Sequence, residues 1–385
     1  MGFRPRRRRG DRRHRLARVN NEETLQKDRR GNYFEDFQLG QVIQHGTPRT
    51  VTEGDASVYI ALTGARQLLH SASTAAKLMG LDRRPLDDVL VFNIAFGKTV
   101  PDVSLNAVAN LGYAEVRFTE SVFAGDTLRC ESVVIGLKEN SNRKTGLVYV
   151  RSTCCNQAGR NVLSWVRWVM VNKADPAAKA GGAHVPSLQV SVRLEDLTSA
   201  CRLESSDALE EWCELSGAND LWDDYSPGEV IVHPLGMTIE DADHMSATRL
   251  YQNNSKPHFD ALHMASSPLG KRLVYGGHVI SICRALCYDG MENATSILAI
   301  NGGSHVAPTV AGDTLYARTQ VLEKVKLPGR SDVGALRLRT LGLRNHGADK
   351  PLDFHAAAQA NTQQRTHVVL DLDYVVAIPR ASLAR

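Results

Sequence analysis

The chain has 385 residues, of which 43% are hydrophobic and 23% are charged, as is typical of a globular protein with two or three domains. No apolar run approaches the roughly 20 residues that cross a bilayer, so we expect no membrane-spanning segment. Seven cysteines without a CxxC pair predict neither a disulfide framework nor a zinc site, and they favour a reducing, cytoplasmic compartment.

The net charge of +4 is distributed unevenly along the chain. Its first eighteen residues, MGFRPRRRRGDRRHRLAR, hold nine arginines and one aspartate, so the remaining body carries −4. A body of this charge predicts no nucleic-acid-binding surface. The tail could be a nucleic-acid arm, a targeting peptide or a solvated extension. Because charge blocks of this kind are usually disordered, we expect a disordered basic tail at residues 1–30.

Residues 31–173 follow a clear order of predicted elements. A turn-rich entry ends at Gly40, and QVIQH then predicts a short strand. A helical segment with its loop and a second helix follow. Three strands finish the unit, AEVRF, GLVYVRSTCC and VLSWVRWVMVNK, all with alternating patterns. Residues 174–217 contain ADPAAKAGGAHVP and a polar, acidic stretch, which predict a linker.

Residues 218–385 repeat the same order. EVIVH predicts the short strand, and GGHVISICRALCYDG predicts the second helix. In that helix Val279, Ile282, Cys283 and Leu286 form one apolar face at i, i+3, i+4 and i+7, and Gly290 follows as a stop.

The two units are copies at a constant offset. FEDFQLGQVIQH at residues 34–45 and WDDYSPGEVIVH at 222–233 lie 188 positions apart, as do His70 and His258. AGDTL occurs at 124–128 and 311–315, where Gly and Asp suit a tight turn before a strand. A long helix with an antiparallel meander in each copy predicts an α+β class, with each sheet wrapped around its helix and the copies fused as a pseudo-dimer.

One segment of each copy resembles the MaoC-type hydratases of the hotdog fold. Their box is Gly-Asp-x-Asn-Pro-x-His, with Asp five residues before His. YIALTGARQLLHSA in the first copy keeps Gly64 and His70 but has Ala65 in place of Asp. ATRLYQNNSKPHFD in the second copy keeps His258, with Asn253 five residues before it. The resemblance implies a tandem (double) hotdog with a degenerate first site and a catalytic second site.

The resemblance is closer to one family of these hydratases. NYFEDFQLGQ, HGTPRTVTEGD, FGKTVPDVSLNAVANLGYAE, SWVRWVMV, RLVYGGHVIS, DVGALRLRT and VVLDLDY, taken in order, resemble the mesaconyl-CoA (2-methylfumaryl-CoA) hydratase family, also called β-methylmalyl-CoA dehydratases. The likeness spans about residues 31–380. It implies a hydro-lyase acting on a branched C5 dicarboxylic enoyl-CoA, with coenzyme A as part of the substrate and no metal or redox cofactor. An exposed sheet edge would favour a homodimer.

Hydration of an enoyl thioester needs an acid/base group and donors for the charge that develops on the thioester oxygen. His258 is the candidate acid/base group, because imidazole titrates near neutral pH. Asn253 cannot take a proton and would orient water or the imidazole, unless it only caps a turn. The N–H groups of Gly276 and Gly277 are candidate oxyanion donors at a helix start. His278 follows them and would line the site or simply pack.

The remaining expectations concern charged groups and competing functions. A cation should meet the second carboxylate of the substrate, and we name Arg249 first, with Lys256, Arg272 and Lys98 as further candidates. Asp260 is an alternative partner of the histidine. A hotdog thioesterase and a non-catalytic acyl-CoA-binding module are the competing functions. The former would need a carboxylate facing the helix start.

Overall fold

The computed structural model describes residues 31–178, 181–359 and 363–384, and the predicted basic tail at residues 1–30 lies outside them. The first half contains β1 (Val42–Gln44), β2 (Arg49–Thr50), α1 (Glu53–Thr63), α2 (Leu68–Ser71), α3 (Ser73–Leu78), α4 (Asp88–Val103), β3 (Ala107–Phe118), β4 (Thr127–Glu139), β5 (Thr145–Cys155) and β6 (Asn161–Asn172). The helix α5 (Ser206–Ser216) lies between the halves.

The second half repeats this order with one added helix. It contains β7 (Val230–Val232), β8 (Met237–Thr238), α6 (Asp241–Leu250), α7 (Lys256–Phe259), α8 (Ala261–Ala265), α9 (Gly276–Leu286), β9 (Ile297–His305), β10 (Thr314–Val325), β11 (Val333–Arg344), α10 (Phe354–Ala358) and β12 (Val368–Pro379). Short 3-10 helices lie at Phe34–Asp36, Leu194–Asp196, Gln363–His367 and Ala381–Ala384.

Local sequence explains where the first helix begins and ends. Thr52 accepts a hydrogen bond from the N–H of Asp55 at 3.2 Å, and the Asp55 carboxylate accepts one from the Thr52 N–H at 2.8 Å. This reciprocal pair satisfies two N–H groups that a helix start otherwise leaves free. The helix ends at Gly64, whose φ of 65° is a left-handed conformation that glycine adopts without strain.

All the paired strands belong to one antiparallel sheet with the order β1-β4-β5-β6-β3-β9-β12-β11-β10-β7, and the short strands β2 and β8 pair with β4 and β10. The halves join where β3 pairs with β9, with Tyr113 opposite Gly303 and Arg117 opposite Ala299. Each half thus wraps its own four long strands around its own helix, α4 or α9. The predicted α+β double hotdog is confirmed.

The two central helices are buried and pack against each other, because both present apolar side chains on nearly every face. Small residues permit close contacts around them. A Cβ atom on Gly97 of α4 would lie 1.9 Å from the carbonyl oxygen of Tyr251, so only glycine fits there. The segment after α6, which precedes Asn253, therefore rests directly on the central helix of the other half.

Two expectations from the sequence need correction. Each half has four long strands and not three, since β4 and β10 follow the AGDTL turns, where Gly125 and Gly312 have φ of 98° and 94°. The stretch at residues 174–217 is more than a polar linker. It forms α5, and Trp212 of that helix is fully buried in an apolar cluster with Leu69 and Met79 of the first half.

Candidate active site

His258 lies on α7, next to the start of the central helix α9. Its Nδ1 is 3.0 Å from the carbonyl oxygen of Leu273, and because a carbonyl only accepts, Nδ1 carries the proton. Nε2 is therefore the unprotonated nitrogen. The imidazole is half-buried, and its centroid lies 5.6 Å from that of Tyr275, the residue that precedes the first turn of α9.

The surroundings of His258 keep it neutral. Burial, the largest cause, lowers its pKa, while the hydrogen bond to Leu273 raises it and the nearby His244 lowers it again, for a pKa of about 4. A pKa this far below the ordinary value leaves the imidazole unprotonated at neutral pH. Nε2 is then able to accept a proton from water.

The start of α9 presents free N–H groups. Tyr275 makes no side-chain hydrogen bond to the first turn, and its carbonyl accepts from His278 and Val279. The N–H groups of Gly276 and Gly277 have no acceptor among the described residues. Unpaired N–H groups at a helix start bind negative charge.

Both glycines are required by close contacts. A Cβ on Gly276 would lie 2.4 Å from the ring of His305, and one on Gly277 would lie 2.0 Å from Oδ1 of Asn93. Asn93 belongs to α4 and donates to the Gly277 carbonyl at 3.1 Å. The first half therefore holds this turn in place.

Asn253 is buried in the loop between α6 and α7. Its Oδ1 accepts from the N–H of Ser255 at 3.1 Å, which is the turn-capping role considered from the sequence. Its amide nitrogen has no hydrogen-bond partner among the described residues, so it remains available to a water molecule or substrate. The structural role of this side chain does not preclude a role in the site.

The sequence analysis missed two histidines of this region. His305, at the end of β9, packs on Gly276, and its Nε2 is 3.1 Å from the hydroxyl oxygen of Tyr113. His244 on α6 is fully buried and 3.3 Å from the Asp241 carboxylate. Burial lowers the pKa of both groups, to about 4 for His305. Neither has a spacing from His258 that would mark it, so the sequence offered no signal beyond a lone histidine.

His278 and Arg249 differ sharply in placement. His278 is buried in the first turn of α9, with Nδ1 3.5 Å from the Tyr251 hydroxyl, and burial lowers its pKa to about 3. Arg249 is exposed and donates to Ser246 on its own helix at 3.2 Å. These contacts give Arg249 no link to the buried part of the site, and its substrate-binding role stays a prediction.

The other charged candidates are exposed or paired with other groups. Lys256 is exposed, and Arg272 is paired with the Asp241 carboxylate. Lys98 is buried, but its ammonium donates to the carbonyl of Thr47 at 2.6 Å. The carboxylate of Asp260 caps α8 by accepting from the N–H of His263 at 2.9 Å.

The equivalent region of the first half is closed. Asp87 accepts from the N–H groups of Val89 and Leu90, so a carboxylate of the chain itself occupies the start of α4. Tyr59 is fully buried beside it. The cavity that remains there has a volume of about 10 Å³, room for no more than a single water molecule.

Fold and site together define a class of protein: a double hotdog in which one histidine lies beside an uncapped helix start. The family model described as mesaconyl-CoA hydratase matches residues 14–353. Two relatives are similar over 91% of this chain. They are the β-methylmalyl-CoA dehydratase of Chloroflexus aurantiacus, 49% identical with 97% of its length covered, and the mesaconyl-CoA hydratase of Cereibacter sphaeroides, 48% identical with 98% covered.

A solved structure agrees with these relatives. The crystal structure of a MaoC domain protein dehydratase from Chloroflexus aurantiacus has a TM-score of 0.87 and 49% identity, over 92% of this chain and 99% of that one. The chain belongs to the mesaconyl-CoA hydratase family, and it is an enzyme of the hydro-lyase type.

Proposed function

We propose that the protein reversibly adds water to the double bond of a branched C5 dicarboxylic enoyl-CoA, converting 2-methylfumaryl-CoA (mesaconyl-CoA) to 3-methylmalyl-CoA. One observation carries the proposal: the neutral imidazole of His258 lies beside the uncapped start of α9. The relatives named above act on these compounds according to their names, which supports the choice of substrate.

In the hydration direction, Nε2 of His258 removes a proton from water while the water oxygen bonds to the β-carbon, which carries the distal carboxylate. The Leu273 carbonyl holds Nδ1–H, which fixes the tautomer and stabilises the imidazolium that forms. General-base catalysis requires a neutral base whose proton-accepting nitrogen is unprotonated, as Nε2 of His258 is.

The electrons of the double bond move onto the thioester oxygen as the new C–O bond forms. The N–H groups of Gly276 and Gly277 stabilise that charge, aided by the dipole of α9. These donors are fixed before the reaction by the contact of Gly277 with Asn93, so little reorganisation is needed.

Collapse of this enolate requires a proton at the α-carbon, which carries the methyl group. The imidazolium of His258 returns the proton it took, so the sum of the steps is the addition of one water molecule. Asn253 orients the water through its free amide nitrogen and takes no proton. A single acid/base group therefore suffices.

The two alternatives have less support. A thioesterase would need a carboxylate facing the start of α9, and of the two central helices only α4, in the first half, has carboxylates at its start. There Asp87 caps α4, and Asp88 accepts from the N–H of Ile297 at 2.7 Å. A non-catalytic binding module would not require an imidazole with a free Nε2.

The test is to incubate the protein with mesaconyl-CoA and follow the enoyl-thioester absorbance together with the product mass. Loss of absorbance with a mass gain of one water supports the proposal. Release of free coenzyme A thiol would show a thioesterase, and tight binding without turnover would show a binding module. The kcat/KM values for a panel of enoyl-CoA esters then define which acyl group the enzyme prefers.

The expected homodimer also remains a prediction. The two ends of the sheet, β1 and β7, expose Val42 and Val232, and such edges favour pairing with a second copy. No helix among the described residues is both long and apolar enough to cross a membrane. The predicted cytoplasmic location, the absence of cofactors and the absence of nucleic-acid binding are not tested by these observations.

A further inference from the structure

The proposed substrate has a carboxylate bonded to the carbon that water attacks. If the proposed function is right, on which this inference rests, that carboxylate lies within a few atoms of His258 and inside the protein. Three of the four cations named from the sequence do not meet this requirement, because Arg249 and Lys256 are exposed and Arg272 is paired with Asp241. The fourth, Lys98, is buried, but its ammonium donates to the Thr47 carbonyl beside Cys130 and Arg49, a different set of residues from those around His258. A better placed cation is therefore needed.

Arg167 is a buried cation without a carboxylate partner. It lies on β6 of the first half and is fully inaccessible to solvent. Its guanidinium donates to the hydroxyl oxygens of Ser104 at 3.2 Å and Thr99 at 2.8 Å, and its Nε has no partner among the described residues. Hydroxyl groups are neutral, so the charge of Arg167 is left without a counter-ion, an unfavourable state for a buried ion.

An aromatic layer connects Arg167 with the catalytic region. The guanidinium carbon lies 4.2 Å from the centroid of the Phe96 ring, and that ring lies 5.8 Å from both Tyr113 and Tyr275. Tyr113 reaches His305 through its hydroxyl, and Tyr275 lies against His258. The Phe96 ring therefore contacts both Arg167 and the two tyrosines that lie next to His305 and His258.

Tyr275 supplies a second unsatisfied group at the same place. Its hydroxyl is buried and has no hydrogen-bond partner among the described residues. Arg167 is close enough to Tyr113 and Tyr275 that its charge opposes the rise in pKa that burial imposes on both phenols. Two buried donors without a hydrogen-bond partner among the described residues, Arg167 Nε and the Tyr275 hydroxyl, thus lie in the same region as the hydroxyl of Tyr113.

We propose that Arg167, with the hydroxyls of Tyr113 and Tyr275, forms the subsite for the distal carboxylate of the substrate. The tyrosine hydroxyls hydrogen-bond the carboxylate, and the guanidinium behind them supplies the neutralising charge in a region that excludes water. The second half then provides the acid/base chemistry, while β3 and β6 of the first half select a dicarboxylic acyl group.

The test compares two enoyl thioesters of nearly the same shape. Mesaconyl-CoA has a carboxylate where 2-methylcrotonyl-CoA has a methyl group. We expect Arg167→Met to lower the ratio of their kcat/KM values, charged over uncharged, by roughly 100-fold, because a buried charge pair loses one partner. If Arg167 served only to stabilise the end of α4, both substrates would lose activity equally, and this result would overturn the proposal.

Arg284→Met is the matched control. Arg284 is also a buried arginine with a guanidinium nitrogen that is unpaired among the described residues, but its charge acts on Cys287 and Tyr374 and not on Tyr113 or Tyr275. This substitution should leave the ratio of the two kcat/KM values unchanged. An equal change of the ratio in both variants would contradict a specific role for Arg167.

A second measurement uses the unmodified protein, in case Arg167→Met does not fold. Methylsuccinyl-CoA and 2-methylbutyryl-CoA are saturated esters that differ in the same carboxylate, and we expect isothermal titration calorimetry to give the former a Kd at least roughly 10-fold lower. Tyr275→Phe should reduce that difference in Kd. Equal Kd values for the two esters would overturn the subsite. Because this comparison needs no turnover, it decides the subsite even if mesaconyl-CoA proves not to be hydrated.

Discussion

His70 and His258 occupy equivalent positions in the two halves, 188 residues apart, and each ring is held in the same way. Nδ1 of His70 is 3.4 Å from the carbonyl oxygen of Pro85, and Nδ1 of His258 is 3.0 Å from that of Leu273, in both cases fifteen residues further along the chain. The duplicated fold has thus preserved the position and tautomer of both imidazoles. What differs is the group that each Nε2 meets.

In the first half Nε2 of His70 lies 3.5 Å from the carboxylate of Asp88, the first residue of α4. The equivalent residue of α9 is Gly276, which has no side chain. The residue before each helix also differs between the halves. Asp87 caps α4 with its carboxylate, whereas Tyr275 makes no side-chain hydrogen bond to the first turn of α9. Two differences at equivalent positions therefore separate a helix start that carries carboxylates from one whose first N–H groups have no acceptor among the described residues.

The electrostatic consequence is opposite at the two histidines. Burial lowers the pKa of His70, but the hydrogen bond and charge of Asp88 outweigh it, and the net shift is upward. At His258 no carboxylate opposes burial, and the pKa falls to about 4. An imidazole must be neutral before it can take a proton. The absence of an aspartate at the position of Gly276 is therefore as important for catalysis as the presence of His258.

The largest expected effect is the loss of kcat when the imidazole of His258 is removed. His258→Ala should lower kcat for mesaconyl-CoA by at least roughly 1,000-fold while the folded structure is kept, because the only acid/base group is lost. His70→Ala is the matched control and should change kcat less than about 5-fold, since its ring contacts only the closed site. Steady-state kinetics and circular dichroism provide the measurements, and comparable losses in both variants would contradict the comparison.

A smaller loss of kcat should follow when the start of α9 is given a capping carboxylate like that of α4. Tyr275→Asp places a capping carboxylate at the start of α9, where it would occupy the N–H groups that we assign to the oxyanion. Because this change also removes the hydroxyl that we assign to the carboxylate subsite, the reference is Tyr275→Phe, which lacks the hydroxyl and adds no cap. Relative to Tyr275→Phe, we expect kcat to fall roughly 100-fold, the effect of losing such donors. A kcat equal to that of Tyr275→Phe would rule out the α9 start as the oxyanion site.

The reverse change in the first half is the control for that experiment. Asp87→Ala should leave kcat near the wild-type value and lower the free energy of unfolding by about 1 kcal/mol, the usual contribution of a helix cap. Chemical denaturation measures the second quantity.

The smallest expected effect is on the pH dependence of kcat/KM. Because His258 must be neutral, the acid limb of kcat/KM should fall near the pKa of about 4, well below the ordinary histidine value. His70 should titrate above 6.5, which NMR of labelled histidines can measure alongside the kinetics. An acid limb at or above 6.5 would show that a different group, or a different state of His258, controls the reaction.

The same two groups affect stability with opposite signs. The folded pKa of His258 is lowered, so unfolding takes up a proton between about pH 6.5 and 4, and stability falls as the pH falls through that window. The folded pKa of His70 is raised, so its contribution is complete below pH 6.5 and is lost as the pH rises through the folded value. Unfolding curves of His70→Ala and His258→Ala against pH separate the two contributions.

Much of this arrangement could be predicted from the chain alone. The constant offset of 188 residues indicated the duplication, and the box around His258 indicated which copy kept a polar pair. The missed strand β4 shows a limit, since Ser132 and Gly136 lie on its buried face while Val133, Ile135 and Leu137 lie on its partly exposed face, which obscures the alternation. The alternation in β6 likewise placed Arg167 in a strand without showing that its charge lies inside the core without a carboxylate.

The sequence by itself determined the repeat, which is visible as a constant offset, and the two central helices, which depend on residues close together in the chain. The tertiary structure alone decided which groups surround each histidine and each helix start. The closing contact of Asp88 with His70, the packing of His305 on Gly276 and the isolation of Arg167 join residues from distant segments. Whether a buried charge is neutralised depends on what the fold brings beside it, and no local pattern records that.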